Sequence, residues 1–448
     1  MAESNLQHYS RVIGIDVHKE LFVCHAMLKD SDGKLQEEEQ RFGTFHKDIR
    51  DVCSWVESWQ PEIITMESTG IYWEPLAWTL RDAGFPVNVV NARHVKALRG
   101  HKTDSKDAAW LATISFLCTT NRSFIPTQEY REYRRLERAR VNFVGDLQRV
   151  KNRRSKILEE ANIKLSSVFS DLSGKNARIV IHGLIEQKPA EKIVSALNFR
   201  RLKADKQRVL DALAGDLGDT GRKILSDYQE NIESLEQKIQ EYTQLMIDCV
   251  KRSCPDHFYH LKTIPGISDA SAASILIEIG GGVGAFPSAK QFASWIAICP
   301  GNHESAGKRY SGKTRKGNKY LRRILIECAQ ALCRSKSSLG SKARENCSRL
   351  GWKKGIVATA HKLARIIYAI INNCVEYRDD NIDYEQMLTC RRVERNIRKI
   401  ADATGASVTI HRNDTGEVIS SAEPRIPYQN RPESQRILIA QLLPGVVK

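Results

Sequence analysis

The chain has 448 residues, of which 27% are charged and 41% hydrophobic, with a formal net charge of +16. That length suits roughly two to four domains, each able to bury a core without disulfide staples. The 11 cysteines are odd in number, scattered and without a Cys-x-x-Cys pair, which points to a reducing cytoplasm. Met1–Ser10 is polar and no apolar run of about 18 residues occurs, so neither a signal peptide nor a membrane-spanning helix is expected.

In chain order, Arg11–Val17 reads as a buried strand, and Leu21–Leu28 and Leu35–Phe42 as two more, the latter pair joined at the Asp32-Gly33 turn signal. Ile49–Trp59 has helical spacing, with Ile49, Val52, Val56 and Trp59 on one stripe. A strand at Glu62–Glu67, a helix at Trp73–Ala83, a strand at Pro86–Val90 and a helix at Thr103–Cys118 follow. This mixed order predicts a sheet covered by helices. Glu129–Ile163 reads as one long helix; residues 162–222 are polar and yield only short helical patterns. From Tyr228 the positions Ile232, Leu235, Ile239, Tyr242 and Met246 step by heptad spacing, which favours a coiled-coil arm, with the long basic helix before it as partner, over an ordinary amphipathic core helix. From His257 the chain reads as mainly helical: Asp269–Ile279, Ser288–Ala297, Lys319–Cys333 and Gly355–Asn372 are helices, and Gly301–Asn318 is a Gly/Ser/Lys-rich loop. The remainder, 378–448, reads as a small appendage with strands at Ser407–His411 and Glu417–Ser420. The expected domains are therefore 1–125, 126–254, 255–377 and 378–448.

The positive charge is concentrated. Ser305–Arg365 holds 17 Lys/Arg against Glu327 and Glu345, and Arg131–Arg154 holds nine against three acids. A solvated face explains one such run; two separated runs point to a polyphosphate partner, whose counterions they would release. Neither run forms an obvious amphipathic anchor, so no membrane partner is expected.

Four acids fit one topology. Asp16 and Glu67 end two strands, while Asp104 and Asp107 stand three apart on one helix. A single strand-end acid is usually a cap or turn residue. Four converging carboxylates suit hard divalent cations, and paired Mg2+ ions assist phosphoryl transfer. Gly14-Ile15-Asp16-Val17-His18-Lys19, Met66-Glu67-Ser68-Thr69-Gly70 and Lys102-Thr103-Asp104-Ser105-Lys106-Asp107-Ala108 resemble the DEDD transposases of the insertion sequence 110 family. The N-terminal part thereby resembles the RNase H-like, RuvC-like nuclease fold.

The second half adds to the resemblance. Ile264-Pro265-Gly266-Ile267, Phe292-Ala293-Ser294-Trp295-Ile296, Cys299-Pro300-Gly301, Glu304-Ser305-Ala306-Gly307-Lys308-Arg309 and Arg315-Lys316-Gly317-Asn318-Lys319-Tyr320-Leu321-Arg322 resemble that family's mainly helical transposase domain. The resemblance implies that Ser305 is a covalent nucleophile. Ala306 stands where the family has its first loop glycine, and Ser311 is the alternative serine. A serine hydroxyl attacks only when ionisation is assisted, and Lys308, Arg309, Lys313 and Arg315 are placed to stabilise charge at the scissile phosphate. Lys102, Lys316, Lys319, Arg322 and Arg323 complete the expected nucleic-acid contacts. By its length the chain looks closer to the 1111-type subgroup.

The resemblance implies a bacterial or archaeal insertion-sequence recombinase, nucleoid-associated, that forms a phosphoserine intermediate. It implies two Mg2+ ions, replaceable by Mn2+, at Asp16, Glu67, Asp104 and Asp107. The implied partners are donor and target DNA, an element-encoded bridge RNA, and further copies of the chain from dimer to tetramer. A metal-only RuvC-like junction nuclease and a silent nucleic-acid-binding derivative are the alternatives. Cys254, His257 and His260 lie close together but lack an evident fourth zinc ligand. Tyr72-Trp73 suits base stacking and helix packing equally.

Overall fold

Isoleucine and valine dominate Arg11–Val17, and β-branched residues pack well on a pleated surface; this segment is β1, at the centre of the first sheet of the computed structural model. The structure describes residues 9–30, 32–68, 70–90, 104–117, 124–202, 204–301, 303–305, 308–314, 316–379, 384–411, 413, 416, 418–430 and 432–433. The chain divides into two units, one ending at Glu129 and the other beginning at Tyr130.

In the first unit β1 is followed by β2 (Phe22–Lys29), β3 (Leu35–Phe42), α1 (His46–Trp59), β4 (Ile63–Glu67), α2 (Trp73–Asp82), β5 (Val87–Val90) and α3 (Asp104–Phe116). The sheet order is β3-β2-β1-β4-β5. β1, β2 and β3 pair antiparallel, whereas β1, β4 and β5 are parallel. At the β2–β3 turn Gly33 has φ +81°, and the Asp30 side chain accepts from the Asp32 and Lys34 amides, as the Asp-Gly signal predicts. Ile13, Ile15 and Val17 pack into one core with Ile49, Val52, Val56, Leu76 and Leu80 of α1 and α2. The opposite face belongs to α3: Ala112 packs with Val12 and Ile63, and the Ser115 hydroxyl donates to Thr65 at 2.6 Å. The exposed edge β3 carries Glu37, Glu38, Glu39 and Arg41, charges that discourage pairing with another chain.

The second unit is mostly helical. α4 (Gln128–Glu160) and α8 (Gly218–Ser253), of 33 and 36 residues, run antiparallel along each other. Tyr228, Ile232 and Leu235 of the heptad stripe pack on Phe143, Leu147 and Val150, and Tyr242 meets the Phe143 ring at 5.2 Å. Residues 162–222, difficult to read from periodicity, fold into α5 (Lys175–Ile185), α6 (Ala190–Ser195) and α7 (Lys206–Ala212) around their own core of Leu165, Val180, Ile181, Ile193 and Val209. The helical part beyond contains α9 (Pro255–Lys262), α10 (Asp269–Ile279), α11 (Ala289–Trp295), α12 (Lys319–Leu332), α13 (Ser338–Leu350) and α14 (Trp352–Asn373). α10 is buried on every side from Ala272 to Ile279. Its start is capped by the Ser268 side chain, which accepts from the Ser271 amide, and its end by Gly280 in the left-handed region.

Two expectations change. The loop 301–318 contains a hairpin, β6 (His303–Ser305) with β7 (Lys308–Ser311). Its strands have three and four residues and no apolar alternation, so periodicity could not reveal it. The appendage has a helix as well as strands: α15 (Tyr384–Thr404) packs on β8 (Val408–His411) and β9 (Val418–Ala422) through Ile397, Ala401 and Ala422.

Candidate active site

Parallel pairing of β1 with β4 matches Ile15 with Met66. Asp16 and Glu67, one residue further along each strand, therefore stand side by side at the carboxyl ends. Strand alternation turns Val12, Gly14 and Asp16 of β1, and Ile63, Thr65 and Glu67 of β4, toward α3. α3 then lies against β1 at Gly14. A Cβ there would stand 2.1 Å from the Ala108 carbonyl oxygen, so the glycine and the small residues of α3 permit backbone contact. That contact brings Asp107, next to Ala108, to the same end of the sheet.

The electrostatics reflect this convergence. Burial raises the Asp16 carboxyl above the ordinary carboxylate range. His18 opposes the rise through its charge and a hydrogen bond, while the nearby Asp107 and Glu67 add to it. The His18 Nε2 lies 2.9 Å from Asp16 Oδ2. The sequence signal for His18 is its place in the Asp16-Val17-His18 motif, two residues beyond a strand-end acid.

Asp104 begins α3, but its side chain lies outside the described residues, as does all of Lys102. Among the described residues no three His, Cys, Asp or Glu side chains form a ready metal cage. The chemistry of the donor set still fits Mg2+: hard carboxylate oxygens crowd like charge at the carboxyl ends of β1 and β4, which a divalent cation would relieve.

Ser305 is the last residue of β6 and pairs with Lys308, which puts it at the turn end of the hairpin. The side chains of Ser305, Lys308, Arg309 and Ser311, and all of Arg315, lie outside the described residues. The foot of the hairpin is braced by the Gly301 amide donating to the Lys313 carbonyl at 3.0 Å and by a bridge between Pro300 and Thr314. Lys316 and Lys319 are exposed, and the Lys319 ammonium lies 5.1 Å from the Tyr320 ring centre. Arg322 turns inward: its Nη1 donates to the Ala297 carbonyl at 2.8 Å and to Thr314 Oγ1 at 2.7 Å. Arg323 reaches Glu327 at 3.5 Å and the buried Glu137 at 3.9 Å.

The remaining candidates have packing partners. His257 Nδ1 lies 2.8 Å from the Gly281 carbonyl, and the Tyr130 hydroxyl donates to Cys254 Sγ at 3.3 Å. Trp73 packs on the first unit's core, while Tyr72 is exposed.

Residues 13–163 match a family model described as a transposase, the DEDD type of IS110. Residues 259–344 match a second, described as "Transposase IS116/IS110/IS902 family". A Pseudomonas aeruginosa (strain PAO1) protein named "Probable family 20 transposase" is 24% identical over 82% of this chain and 98% of its own length. A Sinorhizobium fredii (strain NGR234) protein named as a transposase, y4pF/y4sB, is 25% identical over 82% of this chain and 85% of its own. A structure titled "Thermus thermophilus RuvC structure" shares 15% identity, covers 25% of this chain and 99% of that one, and has a TM-score of 0.21. Two modules in this order, each matching a transposase model, define an insertion-sequence transposase. Both matched segments are thus similar to transposases of the IS110 family.

Proposed function

We propose that this transposase cuts and rejoins DNA strands through two cooperating centres, with an RNase H-like first unit and Ser305 as the covalent nucleophile. The observation that supports this most is the meeting of Asp16, Glu67 and Asp107 at the carboxyl ends of β1 and β4, where burial and mutual repulsion raise the Asp16 carboxyl. Asp16, Glu67, Asp104 and Asp107 would hold Mg2+, which supplies positive charge to phosphate oxygens when bound.

The serine step conserves bonds. Ser305 Oγ attacks a DNA phosphorus, its proton passes to a base, and the oxygen of the neighbouring nucleotide departs with a proton. A hydroxyl of the exchanged strand then attacks the phosphoserine, rejoins the DNA and restores the serine. Lys308, Arg309, Lys313 and Arg315 stabilise the charge that develops on the phosphate. Lys102, Lys316 and Lys319 contact backbone phosphates, and the outer faces of Arg322 and Arg323 lie beside that path.

Sequence choice falls to a bridge RNA encoded by the element, pairing with donor and target DNA. The α4–α8 pair serves as a coiled-coil arm joining protomers into a dimer or tetramer, so that the carboxylate site of one works beside Ser305 of another. The protein acts in the cytoplasm of a bacterium or archaeon, at the nucleoid.

A plasmid carrying the gene with its native flanks tests the reading. Wild type yields the excised circular junction, and Asp16→Ala and Ser305→Ala each abolish it. A circle that survives Ser305→Ala overturns the serine mechanism and favours a metal-only nuclease.

A further inference from the structure

α10 carries Glu278, whose side chain is fully buried. Removing a carboxylate from water costs several kcal/mol, so such a group persists only when its oxygens are well partnered. Oε1 accepts from Arg138 of α4, and Arg134 of the same helix donates to the Glu278 backbone carbonyl. Oε2 accepts from Asn318 Nδ2 at 2.8 Å. The Arg138 guanidinium also lies 3.3 Å from the centre of the Tyr320 ring. One buried carboxylate thus joins the long helix α4 to the residue that opens α12.

Asn318 is also the end of the segment that carries the hairpin. Its Oδ1 caps α12 by accepting from the Tyr320 and Leu321 amides, each at 3.0 Å. Its own amide donates to the Trp295 carbonyl at 3.1 Å. At Gly317 a Cβ would stand 2.3 Å from that carbonyl, so the chain is pressed against the end of α11 there. Arg322 ties Thr314 to the Ala297 carbonyl on the same side. The return limb of the hairpin is therefore held by Asn318, and Asn318 by Glu278.

We propose that Glu278 is a positioning residue: through the Nδ2 of Asn318 it fixes the foot of the Ser305 hairpin relative to α4, so that the nucleophile's loop and the long helix move as one piece. The proposal rests on Ser305 being the nucleophile, and it deepens that reading by naming what holds the loop.

Exchanging donor and acceptor across the pair supplies the test. Asn318→Asp keeps an oxygen to cap α12, because Asp caps as well as Asn, but replaces the Nδ2 donor by an oxygen facing the Glu278 carboxylate. The double variant Asn318→Asp with Glu278→Gln restores a hydrogen bond in the reverse direction, from the new amide to the new carboxylate, at unchanged net charge. The full chain is incubated with DNA bearing the element's own ends and the RNA transcribed from its flank. Covalent protein–DNA adduct per bound DNA is then measured. Asn318→Asp is expected to lower adduct formation by about tenfold at unchanged DNA affinity and helicity, the effect of about 1.4 kcal/mol in placement. The double variant is expected to recover to within about threefold of wild type, the non-additivity of a direct pair.

Hydrogen exchange of peptides covering 296–317 gives a second readout that needs no chemistry: faster in Asn318→Asp, slowed again in the double variant. If wild type forms no adduct, the Ser305 reading fails, and the exchange data alone decide whether the clasp holds the hairpin. Unchanged exchange in Asn318→Asp, or additive losses without recovery in the double variant, overturn the proposal.

Discussion

Gly14 of β1 and Ala108 of α3 meet backbone to backbone: a Cβ on Gly14 would stand 2.1 Å from the Ala108 carbonyl oxygen and 2.4 Å from the Ala112 amide nitrogen. Neither obstacle is the flexible end of a side chain, so neither can swing away. The contact fixes the height at which Asp107 stands over Asp16. Gly14→Ala is therefore expected to displace α3 and destabilise the first unit by roughly 2–4 kcal/mol, as severe overpacking does. Urea unfolding of the full chain checks this; an unchanged midpoint for the first transition contradicts it.

Asp16 carries a second prediction. Its carboxyl is raised by burial first, then by Asp107 and Glu67, against the pull of His18. A folded state that raises an acid prefers it protonated. The stability it contributes is then fully present below the ordinary carboxylate range, and is lost as pH rises through the raised value. At neutral pH the ionised group is therefore a burden on the fold. Asp16→Asn, which removes the charge, is expected to raise the melting temperature of the metal-free protein by about 2–4 °C, a shift typical of about 1 kcal/mol. It abolishes recombination at the same time. Mg2+ should raise the melting temperature of wild type and leave Asp16→Asn unmoved, since a ligand stabilises only a fold that binds it. A fall in the metal-free melting temperature of Asp16→Asn contradicts this account.

The thiols report on packing. Cys24 is buried in the β-sheet core, and burial pushes its thiol far up; Cys328 on α12 is buried and pushed up to about 11. The thiolate is the reactive species, so both should resist a maleimide in the native protein at neutral pH. Among the described thiols, exposed Cys374 should be modified first. Peptide mapping after brief labelling checks the order, and early modification of Cys24 contradicts its burial in the core of the sheet.

The sheet was legible because its signals are local and dense. Ile13, Ile15 and Val17 face one core, the Asp-Gly pair closes the β2–β3 turn, and the acids fall at strand ends where periodicity says the strands stop. α13 has a weak sequence signature although Ser337 caps it, its side chain accepting from the Gly340 amide. Its buried residues Leu339, Gly340, Ser341, Ala343 and Asn346 include one large apolar side chain, and give little periodic signal. Glu278 was invisible for a different reason. In sequence it is one acid among Leu276, Ile277 and Ile279; its partners Arg134, Arg138 and Asn318 lie 40 to 144 residues away. Only tertiary packing brings them together. Arg322 shows the converse: it sits in a basic run that reads as a phosphate-binding face, yet one guanidinium nitrogen braces the protein's own backbone.

In the proposed mechanism Ser305 becomes covalently joined to DNA while the carboxylates at the carboxyl ends of β1 and β4 are intact. The direct measurement is trapping of the protein on DNA carrying the element's ends, followed by protease digestion and mass spectrometry of the DNA-linked peptide. The expected product is a phosphodiester-linked peptide with the modification on Ser305, absent in Ser305→Ala and strongly reduced in Asp16→Ala. Nicked DNA with no linked peptide, or a linkage mapped to Ser311, would contradict it.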